Sequence, residues 1–235
     1  MEQRPSSTDK RLGAKMIARF FIIMLLPVLM FVIAGRWDWW QGWAFLGAYL
    51  GLTIISRVLL FITNPDLVKE RACCTEAEGA NSWDKRIAPL VVFVPLLALI
   101  VAALDFRFDW SPEFPLWLEL TGLALQIVGY LFSAWAMLVN RFFSGTVRIQ
   151  ADRGHRTITK GPYRILRHPG YAGGLLADAG MPLLLGSVWM FVLMLVPLVL
   201  LVVRTALEDR TLQEELPGYR EYAGRVRYRL FPGIW

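Results

Sequence analysis

The chain has 235 residues, of which 56% are hydrophobic, with ten tryptophans and a formal net charge of +6. That apolar fraction is above the norm for soluble domains and argues against a water-soluble globule. Two cysteines and two histidines at unrelated spacings leave no zinc-type ligand cluster to assemble.

A bilayer core takes about 20 mostly apolar residues per helical span. On that criterion six spans are expected, at 16–34, 41–62, 87–104, 115–139, 169–187 and 188–207, which predicts an all-α polytopic membrane helix bundle. The first apolar run is long enough to cross, and no small-residue cleavage site follows cleanly at Ala34-Gly35, so it is expected to be retained. Trp37, Trp39, Trp40 and Trp43 follow it as a candidate interface belt. Residues 64–86, opening Asn64-Pro65 and closing Trp83-Asp84-Lys85, are mixed in charge and predict a surface helix plus loop. Cys73 and Cys74 in that loop are expected as plain thiols, because neighbouring cysteines rarely pair.

Charge orients the bundle. The segment before the first span, the loop after the second, residues 140–168 and the tail hold twenty Lys and Arg, against Arg36 and Arg107 in the alternate loops. The positive-inside rule therefore predicts both termini and the long loops on the cytoplasmic side. No internal repeat or polar linker divides the chain, but its chemistry does. Residues 1–115 read as scaffold spans, and 116–235 carry nearly all the candidate functional groups.

After the fourth span comes Asn140-Arg141-Phe142-Phe143-Ser144, then Val147-Arg148-Ile149-Gln150, whose alternation predicts a short extended piece. Asp152-Arg153-Gly154-His155 predicts a turn, and Gly161-Pro162 a second. The basic loop enters the fifth span through Tyr163, Arg164, Arg167, His168, Pro169, Gly170 and Tyr171. Pro169 suits a first helical turn, and His168 would stand at a helix N-terminus, which favours anionic ligand groups. The fifth span is rich in small residues (Gly170, Gly173, Gly174, Ala177, Gly180), which permit close helix packing or leave room for a ligand. Asp178 within it is an intramembrane carboxylate, to be satisfied by an arginine, a backbone group or a ligand.

Arg204 and Glu208 lie four apart near the end of the sixth span and share a helix face. Two readings stand: an intrahelical ion pair with Arg204 snorkelling to the interface, or a fixed cation and anion beside a ligand cavity. Beyond them, Leu212, Leu216, Tyr219, Tyr222 and Val226 recur at helical spacing and are expected to pack back onto the bundle across a turn at Pro217-Gly218. A dinucleotide fold, a serine nucleophile elbow and a nucleic-acid stripe are absent as patterns.

The order Asn-x-Phe-Phe, Val-x-Ile-Gln, Gly-Pro-Tyr-x-x-x-Arg-His-Pro-x-Tyr, an acidic pair on the last span, Tyr-x-x-Tyr and an Arg-x-x-Pro end resembles the isoprenylcysteine carboxyl methyltransferase family, to which phospholipid N-methyltransferases are related. The resemblance covers roughly residues 120–235. It implies an integral-membrane methyltransferase using S-adenosylmethionine, with a cofactor site built from the last two spans and the cytosolic loops. By motif it implies that Gln150, His155, Arg156, Thr157, Ile158, Tyr163, His168, Pro169, Gly170 and Tyr171 surround the cofactor, that Glu208 contacts it, and that Arg204 positions the acceptor. The acceptor implied is a lipophilic, isoprenylcysteine-like carboxylate reached from the membrane, with no nucleic-acid or protein partner. An amine or thiol acceptor with the same cofactor is the alternative. Sterol reductases share the Arg-His-Pro-x-Tyr core and would bind a nicotinamide cofactor, and a non-enzymatic membrane scaffold would have no use for Arg204 and Glu208 facing one cavity.

Overall fold

With no water in a bilayer core to take up backbone N–H and C=O groups, long apolar runs satisfy themselves as helices. The computed structural model describes residues 25–73 and 81–235, and all regular structure among them is helical. The helices are α1 (Leu29–Ala34), α2 (Trp40–Thr63), α3 (Pro65–Cys73), α4 (Asp84–Phe108), α5 (Leu116–Val139), α6 (Pro169–Leu185), α7 (Val188–Glu215) and α8 (Tyr219–Arg225).

Four of these, α2, α4, α5 and α7, are long and apolar enough to cross a membrane. The expected fifth span is α6, with 17 residues, or about 25 Å at 1.5 Å per residue. That falls short of a full hydrocarbon core of about 30 Å. The expected first span is represented by α1 and the short 3₁₀ turn Leu26–Val28 before it, and its remainder lies outside the described residues. Cys74 also lies outside them.

The tightest crossing pairs α5 with α6, and its cause is visible in the sequence. A methyl group added at Gly173 would stand 2.6 Å from the Gly129 carbonyl oxygen, and one at Gly122 would stand 2.7 Å from that of Gly180. Small residues here let the two backbones touch, as in other membrane helix pairs. A second layer joins α4 to α7, with α1 packed on α4 and α2 on α5. The core between them buries Met30, Phe31, Phe45, Leu99, Leu184 and Met190.

One end of the bundle is closed by polar bonds. Asp105 at the end of α4 accepts from the Ser111 backbone N–H at 2.8 Å, the Ser111 hydroxyl at 2.7 Å and the Ser187 hydroxyl. Gly186, with φ 68°, makes the αL turn between α6 and α7 at the place the sequence marks for it, and Ser187 caps α7 by accepting from Met190 N. Trp39 corrects the belt expectation. Trp37, Trp40 and Trp43 are exposed, but Trp39 is fully buried and stacks on Phe106 at 4.7 Å.

The opposite end carries residues 140–168, α3, α8 and the tail. Residues 147–150 correct a second expectation: they pair in no ladder and run as irregular chain. Alternation there reflects a chain with one face on the protein, which a strand shares with a loop. The turn at Gly154 (φ 63°) is as expected. So is the return of the tail, where Leu216, Tyr219 and Tyr222 are buried against Tyr163 and Ala136, with Leu212 and Val226 packed beside them.

Candidate functional site

At this end the chain from Asn140 to Arg148, the start of α6 and the last turns of α7 enclose an open cleft of about 610 Å³, mouth included. Gln150, His155, Tyr163, His168, Gly170, Tyr171 and Glu208 all line it. Residues separated by up to 58 positions thus converge because α6 and α7 are consecutive antiparallel helices, which brings the end of α7 beside the start of α6.

Each wall is held from behind. Asn140 follows the last residue of α5. Its side-chain amide donates to the Tyr163 hydroxyl at 3.0 Å, and its side-chain oxygen accepts from Phe142 N at 2.9 Å. Burial pushes the Tyr163 hydroxyl above its ordinary range, so it stays protonated as a neutral cleft group. Gln150 is buried and donates to the Phe142 carbonyl at 2.8 Å. Its oxygen accepts from Arg153, so Gln150 braces the loop while forming part of its surface. His155 stacks on Phe142 at 4.6 Å and accepts from Gln150 N. Burial, with Arg148 and Arg153 adding, pushes its pKa down to about 4, so it is neutral at physiological pH.

The helix wall begins at His168, which caps α6 from outside with Pro169 as the first helical residue. Gly170 is required there: a methyl group would stand 2.5 Å from the Phe143 ring. His168 Nε2 lies 3.3 Å from Asp209 Oδ1. Asp209 is wholly buried and also accepts from Arg167 Nη1 at 2.9 Å, Arg229 Nε at 2.9 Å, Gln213 at 2.8 Å and Tyr219 at 3.1 Å. It therefore ties the loop, α7, α8 and the tail together, and its neighbour Glu208 is left to face the cleft. The Tyr171 hydroxyl donates to Glu208 Oε2.

Arg204 follows neither sequence reading in full. It does not pair with Glu208, and it does not reach for the interface. It is buried, with Nε donating to Asp84 Oδ1 at 2.7 Å, and Nη2 to Asp84 Oδ2 at 3.3 Å and to the Gly145 carbonyl at 2.9 Å. Its guanidinium lies 5.2 Å from the centroid of the Tyr171 ring. Asp84, at the first position of α4, also accepts from Val147 N at 2.7 Å, so the pair stands directly behind the cleft wall.

The other sequence candidates lie beside the cleft and do not line it. Thr157 donates to the Pro217 carbonyl, Ile158 packs into the cluster around Tyr163, Arg156 is exposed and Pro169 is buried at the α6 start. Asp178 lies two turns along the α6 face that carries Tyr171, partly buried and without a hydrogen bond or ion pair among the described residues.

Sequence reasoning assigned no role to the roof. In α3, Glu70 accepts from Arg148 at 3.0 Å, and Arg71 donates to the Phe143 carbonyl at 3.2 Å. Both Asn81 N–H groups, backbone and side chain, donate to the Val147 carbonyl. Asn140, Phe142 and Phe143 were legible as a motif. Glu70 and Asp84 carried no signal, since an acid in a mixed-charge loop is the ordinary case.

The cleft offers a carboxylate (Glu208), aromatic faces (Phe142, Phe143, Tyr171) and one orphaned donor, Arg167 Nε, buried with no partner on a lining residue. Those groups suit a ligand with an ammonium, an acceptor group and a delocalised or cationic surface.

Comparison with known proteins gives this geometry a family. Residues 117–217 match the family model described as phospholipid methyltransferase. The chain is similar to protein-S-isoprenylcysteine O-methyltransferase B of Arabidopsis thaliana, 28% identical over 42% of this chain and 48% of that protein. It is similar to a probable protein-S-isoprenylcysteine O-methyltransferase of Oryza sativa subsp. indica, 37% identical over 27% of this chain and 34% of the relative. It also resembles the cobalt-zinc-cadmium resistance protein CzcN of Cupriavidus metallidurans, 29% identical over 56% and 58% of the two chains. The alignment with the Arabidopsis protein thus spans about half that relative's length.

Proposed function

We propose that the chain is an integral-membrane methyltransferase that uses S-adenosylmethionine and acts on a lipophilic acceptor. The observation that carries this reading is the convergence of Glu208, Tyr171, His168 and the Phe142–Phe143 pair on one cleft within the family-matched region. About 610 Å³ falls within the roughly 300–1,000 Å³ of small-molecule sites. When bound, S-adenosylmethionine supplies an electrophilic methyl group on a sulfonium.

Glu208 would hold the ammonium of the amino-acid moiety, with its carboxylate oriented by the Tyr171 hydroxyl. Arg167 Nε and the α6 N-terminus would face the carboxylate. The aromatic walls would flank the sulfonium and the base. Neutral His155 and protonated Tyr163 add hydrogen-bonding groups without charge. Rate acceleration of such a displacement rests on alignment of acceptor, methyl and sulfur, and a rigid, braced cleft provides it. Gln150, Arg156, Thr157, Ile158 and Pro169 shape the loop and helix start behind that surface.

The names of the plant relatives suggest O-methylation of an isoprenylcysteine-like carboxylate, with Arg204 as the positioning cation. A neutral amine or thiol acceptor is a second reading, favoured by Asp84 already occupying Arg204. We further propose the cytoplasmic side for the cleft, on charge placement, and residues 1–115 as scaffold to a catalytic 116–235, with α3 and Asp84 completing the site from the scaffold side. The test is S-adenosylhomocysteine binding to the full chain in nanodiscs by calorimetry. Saturable binding weakened by Glu208→Gln supports the reading, and NADPH binding in its place overturns it.

A further inference from the structure

A carboxylate acceptor needs a cation with donors to spare, and the structure shows where every cation near the reaction region has gone. Arg148 is paired with Glu70, and Arg167 with Asp209. Arg204 is paired with Asp84, whose two oxygens take Nε and Nη2 in the side-on geometry an incoming carboxylate would use. The pair is buried on both sides, with side-chain exposure of 8% for Arg204 and 0% for Asp84. In a low-dielectric interior such a pair acts as a neutral unit, and displacing Asp84 would leave its charge uncompensated. Glu208 faces the cleft, and Asp178, on the α6 face shared with Tyr171, has no ionic partner among the described residues.

We propose that Asp84 is a specificity-determining residue: by neutralising Arg204 it excludes anionic acceptors, so the lipophilic acceptor presents an uncharged amine. This rests on the methyltransferase reading above, and it departs from what the plant relatives' names suggest. Asp84 lies outside the residues matched by the family model, so the assignment belongs to this chain. An amine is the nucleophile that reacts without first becoming an anion. Its lone pair forms the nitrogen–carbon bond, the carbon–sulfur bonding pair stays on sulfur, and the surplus N–H proton leaves to water at the open mouth.

The test compares hexadecylamine with hexadecanoate, matched in chain and opposite in charge preference. Both are titrated against the full chain in nanodiscs loaded with S-adenosylhomocysteine, and both are offered with radiolabelled S-adenosylmethionine for turnover. The wild type is expected to favour the amine at least tenfold in affinity and in kcat/KM. Asp84→Asn frees the Arg204 cation and should shift that ratio at least tenfold toward hexadecanoate. Asp84→Glu, which keeps the charge, should retain the wild-type ratio. Both ligands report on the same folded molecules, so the ratio is unaffected by a partly unfolded preparation. A wild type that prefers hexadecanoate overturns the proposal by itself, as does an Asp84→Asn variant with an unchanged ratio. Failure of the cofactor reading is separable, because it appears first as absent S-adenosylhomocysteine binding.

Discussion

Gly129→Ala places one methyl group in the crossing of α5 and α6. That carbon would stand 2.5 Å from the Gly173 carbonyl oxygen and 3.0 Å from Ala177 Cα. Ordinary contact begins near 3.4 Å, so the helices must part by about 0.9 Å, and both obstructing atoms are backbone. Overpacking of a close-packed site costs about 1–3 kcal/mol, against which alanine's helical advantage over glycine returns about 0.5–1 kcal/mol. The net expectation is a destabilised bundle whose α6 N-terminus, and with it His168 and Tyr171, has shifted. Gly174→Ala is the control, because a methyl group there meets nothing within 4 Å. Thermal unfolding of the full chain in nanodiscs, followed by tryptophan fluorescence, should show Gly129→Ala below wild type and Gly174→Ala at or above it. Equal stability of the two variants would refute the backbone-contact account of this crossing.

Asp209→Ala leaves Arg167, His168 and Arg229 without their shared carboxylate; removing one member of a buried charge network costs about 3–5 kcal/mol, which should appear as a lowered unfolding midpoint and a tail open to limited proteolysis. Glu208→Gln should weaken S-adenosylhomocysteine binding about tenfold, equivalent to about 1.4 kcal/mol, with little loss of stability, and calorimetry beside thermal unfolding separates the two. Tyr171→Phe removes the donor to Glu208, and a smaller loss of affinity than in Glu208→Gln is expected from the same titration. His155 has a folded pKa depressed to about 4 from 6.5. Its contribution to stability is therefore fully present above about pH 6.5 and is lost as pH falls toward about 4. The pH dependence of unfolding should flatten across that window in His155→Gln, and an unchanged slope would contradict the burial of the ring.

The apolar runs were legible because a bilayer core demands length and continuity of hydrophobicity, which a linear chain displays openly. The turn at Gly186-Ser187, the break at Pro217-Gly218 and the return of Tyr219 and Tyr222 onto the bundle were legible for the same kind of reason: a backbone requirement or a helical period is local. The strand-like alternation at 147–150 misled because it records which residues face inward and not what pairs with them. Trp39 could not be told from Trp37, Trp40 and Trp43, since burial of an indole depends on whether Phe106 arrives from 67 residues away.

The sequence by itself determined the membrane class, the helical architecture of the longer spans and the neighbourhood of the cleft, through hydrophobic length, turn chemistry and a motif whose residues are mostly close in the chain. Tertiary structure decided which charges are free. Arg204 looked like half of a helical pair with Glu208, and Asp84, 120 residues earlier, took it. Asp209 looked like the second member of an acidic pair and became the buried hub that holds the loop and tail. An ion pair in a dry interior is set by which oppositely charged group is brought within about 3 Å of it. That depends on how α4 packs on α7, and no local pattern records it.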